Sequence, residues 1–393
     1  MRRHVVVVVT IVGALLASAH ASVDVVILGI PDKANAAPSI AADGDRVAIA
    51  WGARGEAGTD VVVATSADGG RSFSSPVRVN ESAGTARLGG ELPPRLVITG
   101  GRVDVLWTAR SPRTSILLAR SIDGGRTFMP ARALQQAEAP GDRGWPALAA
   151  DAKGNVHAAW LDHRGGAGTH HASPDKSALV YNGGRGEVEI TRSVCYCCKT
   201  AIATGAEGRV FTAWRHVYPG NIRDVAFSMS SDGGRTFAAP VRISEDRWQL
   251  DGCPDDGPAM AVDAAGVTHV VWPSVVDGPE PYKAIFHSWT RDGRSFTPRM
   301  RITHVGNNAA HPQVVAHSAG VTVLWDEVVD GQRRVFARRH SRSNSTFVPV
   351  ALSDERAAAS YPAAVVVGEE VVAAWVHGGG NDSRIAVKRF AIR

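Results

Sequence analysis

The sequence predicts an all-β fold, a β-propeller of four-stranded antiparallel blades closed by its N-terminal strand. Three observations carry this. SADGGRSF (66–73), SIDGGRTF (121–128) and SSDGGRTF (230–237) are near copies, with TRDGRSF (290–296) a variant and RSNSTF (342–347) a worn remnant. Seven of the ten tryptophans, Trp51, Trp107, Trp160, Trp214, Trp272, Trp325 and Trp375, end a strand pattern at intervals of 50 to 58 residues. Helical periodicity is nearly absent, and a repeat of this length with four strand-like segments per unit describes propeller blades. Seven tryptophans argue for seven blades; six is the alternative if one unit is an insertion.

Taken in order, residues 1–21 read as a secretory signal peptide. Arg2 and Arg3 form a basic start, residues 5–16 an apolar run, and Ala19, His20 and Ala21 a small-x-small cleavage site. Residues 22–393 are then expected to form a single propeller domain, periplasmic or secreted. No later stretch is apolar for long enough to suggest a membrane span. VDVVILGI (23–30) is a strand with no partner nearby. The first unit follows as strand a (PSIAAD), strand b (RVAIAW), strand c (DVVVATS), the Asp-Gly-Gly turn and strand d (PVRV). The glycines permit positive φ, and the Asp side chain can accept hydrogen bonds from turn amides. A proline opens most inner strands: Pro38, Pro94, Pro146, Pro258, Pro312 and Pro362. In the third unit the turn is replaced by HHASPDKSALVYNGGRGEVEI. The last unit ends after strand c, so residues 23–30 are expected to supply its strand d and remove an open edge.

The formal charge is +5, with only six lysines and the arginines scattered. Nucleic-acid binding needs a basic stripe, and none is visible.

The S-x-D-G-G-x-T-F turns resemble the Asp-box (BNR) repeats of the sialidase superfamily, and the repeat covers nearly all of residues 22–393. The resemblance implies that Asp68, Asp123, Asp232 and Asp292 are structural, in c-to-d turns away from the ligand face. It also implies an exo-α-sialidase-like glycoside hydrolase, with an arginine clamp for a carboxylate, a Tyr nucleophile and an Asp acid/base. The family's Arg before the first strand a is missing, because that place reads NAAPSI.

In a propeller the d-to-a and b-to-c connections share one face. That places Arg95, Arg143, Arg164, Arg215 and Arg247, Tyr218 and Tyr361, and Asp162, Asp255, Asp256, Asp326 and Glu327 on the functional face. Arg164, Arg215, Asp255 and Asp256 are the ligand-binding candidates. The same face receives all four cysteines. Cys195, Cys197 and Cys198 enter the fourth blade and Cys253 the fifth, near His163, His170, His171 and His216.

Three readings of the cysteines stand open: disulfides, as in exported proteins; thiolate ligands with neighbouring histidines for copper or zinc; or a redox dithiol. One bridge, from Cys253 to one of the other three, is easily drawn, and a second is not. The functional expectation is a binding protein whose Cys-rich axial face takes a metal ion, a glycan or a protein partner. The alternatives are a sialidase-like hydrolase and an adhesion module stapled by disulfides.

Overall fold

The computed structural model describes residues 25–110, 114–135, 141–163, 174–254, 256–303, 308–340 and 348–392. The expected signal peptide and the RSNSTF remnant lie outside these residues. Seven four-stranded antiparallel sheets form a closed ring. In each sheet strand a is innermost and d outermost, and neighbouring inner strands touch all the way round, from Ala34–Asp43 to Ala359–Val367 and back. The seventh sheet is completed as expected: Val26–Leu28 pairs antiparallel with Arg384–Ala391, in register Val26↔Val387 and Leu28↔Ile385.

The tryptophan repeat has a direct packing cause. Each of the seven is buried in a different seam between adjacent blades, with alternate strand residues of both sheets around it. A flat blade cannot bury both faces alone, so each large ring fills the wedge between two twisted sheets. The Asp turns fix the other end. Asp123 Oδ1 accepts from Ser121 Oγ (2.7 Å) and from the N–H groups of Arg126 and Thr127, and Oδ2 accepts from Thr127 Oγ1 (2.6 Å). Asp68 and Asp232 repeat this pattern, and Asp292 keeps most of it. The phenylalanine ending each turn, such as Phe73 or Phe128, packs against a seam. In the third blade the turn is short, from Asn182 to Glu187, with Asn182 Oδ1 accepting from Gly184 N–H (2.7 Å). The extra length of that unit therefore falls in the b-to-c connection.

Four inner strands open with the same irregularity. Their register shifts between Ala36 and Ser39, Gly144 and Ala147, Ala310 and Gln313, and Ser360 and Ala363. Within each shift the residue before the proline has positive φ: Ala37 (57°), Trp145 (51°), His311 (55°) and Tyr361 (54°). Positive φ in a non-glycine residue is unfavourable, and bulges of this kind re-aim side chains. Here they sit at the start of the inner strands, on the face opposite the Asp turns.

Candidate functional site

Where the inner strands begin, their residues meet around the axis. His311 is the centre of the group. Its Nδ1 lies 2.5 Å from Asp326 Oδ2 and its Nε2 3.1 Å from Glu91 Oε1. Its backbone N–H donates to Asp256 Oδ2 (2.7 Å). Asp256 Oδ1 pairs with Lys199 Nζ (3.2 Å) and accepts from Gly257 N–H. Asp326 also accepts from Tyr361 N–H (2.8 Å) and contacts Arg333. The Tyr361 ring lies against His311 with centroids 4.0 Å apart. Arg95 donates from Nε to Pro146 O (3.1 Å). Blades 2, 4, 5, 6 and 7 thus each contribute to one polar cluster.

The electrostatics separate the carboxyl groups. Burial pushes Glu91 up to about 7; Lys199 and His311 oppose this, while Asp256 and Asp326 add to it. Burial would raise Asp256 too, but Lys199, His311 and the His311 N–H outweigh it and hold Asp256 below the usual range. Burial disfavours a charged His311, yet Asp326, Asp256 and Glu91 raise its pKa above the ordinary value. Tyr361 is pushed up to about 12, by burial first and by Glu91 and Asp326 next. Burial draws Arg95 down to about 10, against the pull of Glu91. Two carboxyl groups pushed apart in this way mark an acid and an anion. Glu91, Asp256 and His311 do offer ligand atoms within 4.8 Å of one another. But both ring nitrogens of His311 face carboxylates, and Lys199 stands beside Asp256. That donor set suits proton handling better than a metal cation.

The four cysteines converge next to this cluster. All four sulfurs lie within 4.8 Å of one another. Cys197 and Cys253 form a disulfide, with Cα atoms 6.4 Å apart. Cys195 and Cys198 are free thiols, buried, with sulfurs 3.0 Å apart. With Trp145, Tyr196 and Val217 they form a small core of their own. The disulfide takes two of the four cysteines expected, with neighbouring histidines, as copper or zinc ligands, leaving Cys195 and Cys198 as the free sulfurs unless that bond is reduced.

The other candidates are placed as follows. The His163 ring lies 5.9 Å from that of Tyr196, and the His216 ring 4.6 Å from that of Tyr218; neither joins the sulfur group. Burial draws His216 down to about 4. Arg215 is buried and donates to the carbonyls of Arg223 (2.6 Å), Pro273 (2.9 Å) and Asp256 (3.2 Å), so it braces the site from behind. Arg164, His170, His171 and Asp255 lie outside the described residues. Of the residues named from sequence, Asp256, Tyr361, Arg95 and Asp326 come together; Glu91, Lys199 and His311 were missed. A usable signal was present, because His311 and Tyr361 directly precede the blade-opening prolines. A groove of about 490 Å³ lies on the opposite face, lined by turn residues such as Asp123 and Arg126, far from this chemistry.

No protein family and no curated protein matches this sequence. Solved structures do. An ulvan lyase, from a polysaccharide lyase family, is 11% identical over 93% of this chain and 94% of its own, with a TM-score of 0.59. A protein of unknown function from Dyadobacter fermentans is 14% identical over 94% and 98%, with a TM-score of 0.57. An α-L-arabinanase from Penicillium chrysogenum, bound to arabinobiose, is 12% identical over 93% and 96%, with a TM-score of 0.56. These likenesses show the fold. The chain is a seven-bladed propeller, and among its described residues no helix is long and apolar enough to cross a membrane.

Proposed function

We propose that the protein is a carbohydrate-active propeller whose axial cluster carries out acid–base chemistry on a glycan, with Glu91 as the proton donor. The carrying observation is Glu91 itself: a buried carboxyl pushed up to about 7, with its Oε1 3.1 Å from His311 Nε2 and backed by the anionic Asp256. A group with a pKa near the working pH is the most effective proton shuttle. Lys199, Arg95 and Arg333 add positive charge, which favours a glycan bearing carboxylate or sulfate. Tyr361 serves as a neutral hydrogen-bond donor rather than an ionised nucleophile, because its hydroxyl is held up to about 12. The ulvan lyase, arabinanase and sialidase neighbours support a saccharide ligand.

The test is a panel of acidic and neutral polysaccharides and aryl glycosides, with products read by mass. Hydrolysis adds water across the broken bond; elimination leaves an unsaturated sugar. Folded protein that neither cleaves nor binds any member of the panel would sink the proposal. Metal binding by the cysteines is a second reading, favoured by four sulfurs within 4.8 Å. Copper or zinc retained in fixed ratio, with four free thiols, after isolation without chelator would support it. Reading the Asp turns as Asp boxes, and residues 1–21 as an export signal followed by one domain, belongs to the same proposal. The Cys197–Cys253 bond fits an oxidising compartment. N-terminal sequencing of protein recovered outside the cytoplasm checks the cleavage after Ala21.

A further inference from the structure

The cysteines ask for an account that the axial cluster does not give. Two buried free thiols beside a closed disulfide are not needed as staples. Cys195 is held by its neighbours: its N–H donates to Arg215 O (2.8 Å), Arg223 Nη1 donates to its sulfur (3.2 Å), and Cys198 lies 3.0 Å away. The Cys195 sulfur also lies 3.7 Å from the Cys197 sulfur of the disulfide. Cys253, at the far end of that disulfide, is partly exposed while the other three are buried.

We propose that the four cysteines form a thiol–disulfide exchange centre, in which Cys195 is the nucleophile, Cys198 the resolving thiol and Cys253 the outlet to an external disulfide substrate. The Cys195 thiolate attacks Cys197 Sγ. The Cys195–Cys197 bond forms, the Cys197–Cys253 bond breaks, and its electron pair leaves on Cys253. Cys198 passes its proton to the Cys253 thiolate and then attacks Cys195 Sγ. The Cys195–Cys198 bond forms and Cys197 leaves as thiolate, which takes a proton from water. The exchange is an isomerisation and needs no oxidant. An external disulfide then reoxidises Cys197 and Cys253, taking two electrons and two protons and leaving as two thiols.

The geometry agrees with these roles. Arg223 donates to the Cys195 sulfur at 3.2 Å and the Cys198 sulfur lies 3.0 Å away, so a thiolate at Cys195 has a cation and a thiol donor beside it. A thiolate attacker paired with a protonated resolving thiol is the arrangement that exchange requires.

The test uses the full protein isolated without reductant. It is equilibrated in glutathione buffers of graded poise, trapped with an alkylating reagent, and its cysteine pairs are read by peptide mass spectrometry. The expected result is interconversion of the Cys197–Cys253 and Cys195–Cys198 bonds in folded protein, with a two-disulfide form at oxidising poise. In Cys195→Ser the Cys197–Cys253 bond should exchange with glutathione at least about tenfold more slowly. In Arg223→Gln, which removes the cation beside the Cys195 sulfur, alkylation of Cys195 at neutral pH should slow. Only the Cys197–Cys253 bond at every poise, or four thiols bound to a metal ion, would overturn the proposal. The wild-type pairing decides the matter even if a variant fails to fold.

Discussion

At the scale of single residues, Glu91 and its neighbours decide the chemistry. Glu91→Gln keeps the hydrogen-bonding shape but removes the proton, and should lower turnover by about 10²–10⁴-fold while leaving the melting temperature close to that of the parent. The pH profile tests the same assignment. A carboxyl group raised to about 7 is protonated below that value, so activity that needs the acid should fall as pH rises through about 7. A turnover limb near the ordinary carboxylate range would show that Glu91 is not the donor. Gly90 has a different role. A methyl group there would run into the Tyr361 ring, so Gly90→Ala should displace that ring and weaken glycan binding.

At the scale of elements, the joints between blades carry the stability. Asn35 latches the two ends of the chain. Its N–H donates to Ser383 Oγ and its Nδ2 to Ser383 O, while Oδ1 accepts from Trp51 Nε1 and Ile30 N–H. Asn35→Ala keeps the backbone bond to Ser383 Oγ but leaves Ser383 O, Trp51 Nε1 and the Ile30 N–H without these partners, and should cost about 3 kcal/mol or more, read by urea unfolding. A second joint lies between blades 5 and 6, where His269 Nδ1 is 3.1 Å from His287 Nε2 and the His287 ring is 5.2 Å from that of His340. Asp263, at 3.4 Å from His269 Nε2, and Arg338, which acts on His340, are the charged groups nearby. Burial, with His269 and His340, pushes His287 well below 6.5. The unfolded chain therefore binds a proton below about pH 6.5 that the folded chain resists, and stability should fall as pH drops through that value. His287→Leu should flatten the fall in melting temperature between about pH 7.5 and about pH 5; an unchanged slope would assign it to other groups.

At the scale of the whole molecule, closure of the ring matters most. Val26–Leu28 is the outer strand of the seventh blade, and without it Arg384–Ala391 is an open edge. Deleting residues 26–28 should lower the melting temperature and promote association, seen as larger species in size-exclusion chromatography. A deletion protein that stays monomeric and equally stable would show that the seam packing alone closes the ring.

The sequence by itself determined the architecture. The Asp-Gly-Gly turns, the tryptophan interval and the missing last strand are local patterns, and each has a local cause: a turn that needs glycine and a carboxylate, a seam that needs a large ring, an edge that needs covering. It also brought the four cysteines to one face and identified Asp256 and Tyr361 as candidates. What only the tertiary structure decided is which side chains meet. Glu91, Lys199, Asp256, His311 and Tyr361 come from five blades across roughly 270 residues of chain, and no spacing rule links them. His311 looked like an ordinary residue before a proline until the bulge turned it between Glu91 and Asp326. The same holds for sulfur: Cys195, Cys197 and Cys198 were equal in sequence, and the approach of Cys253 to Cys197, with Arg223 beside Cys195, gave them different chemistry. Local patterns fix a repeating frame. Proton affinity and thiol reactivity depend on burial and on charges that only the closed ring brings together.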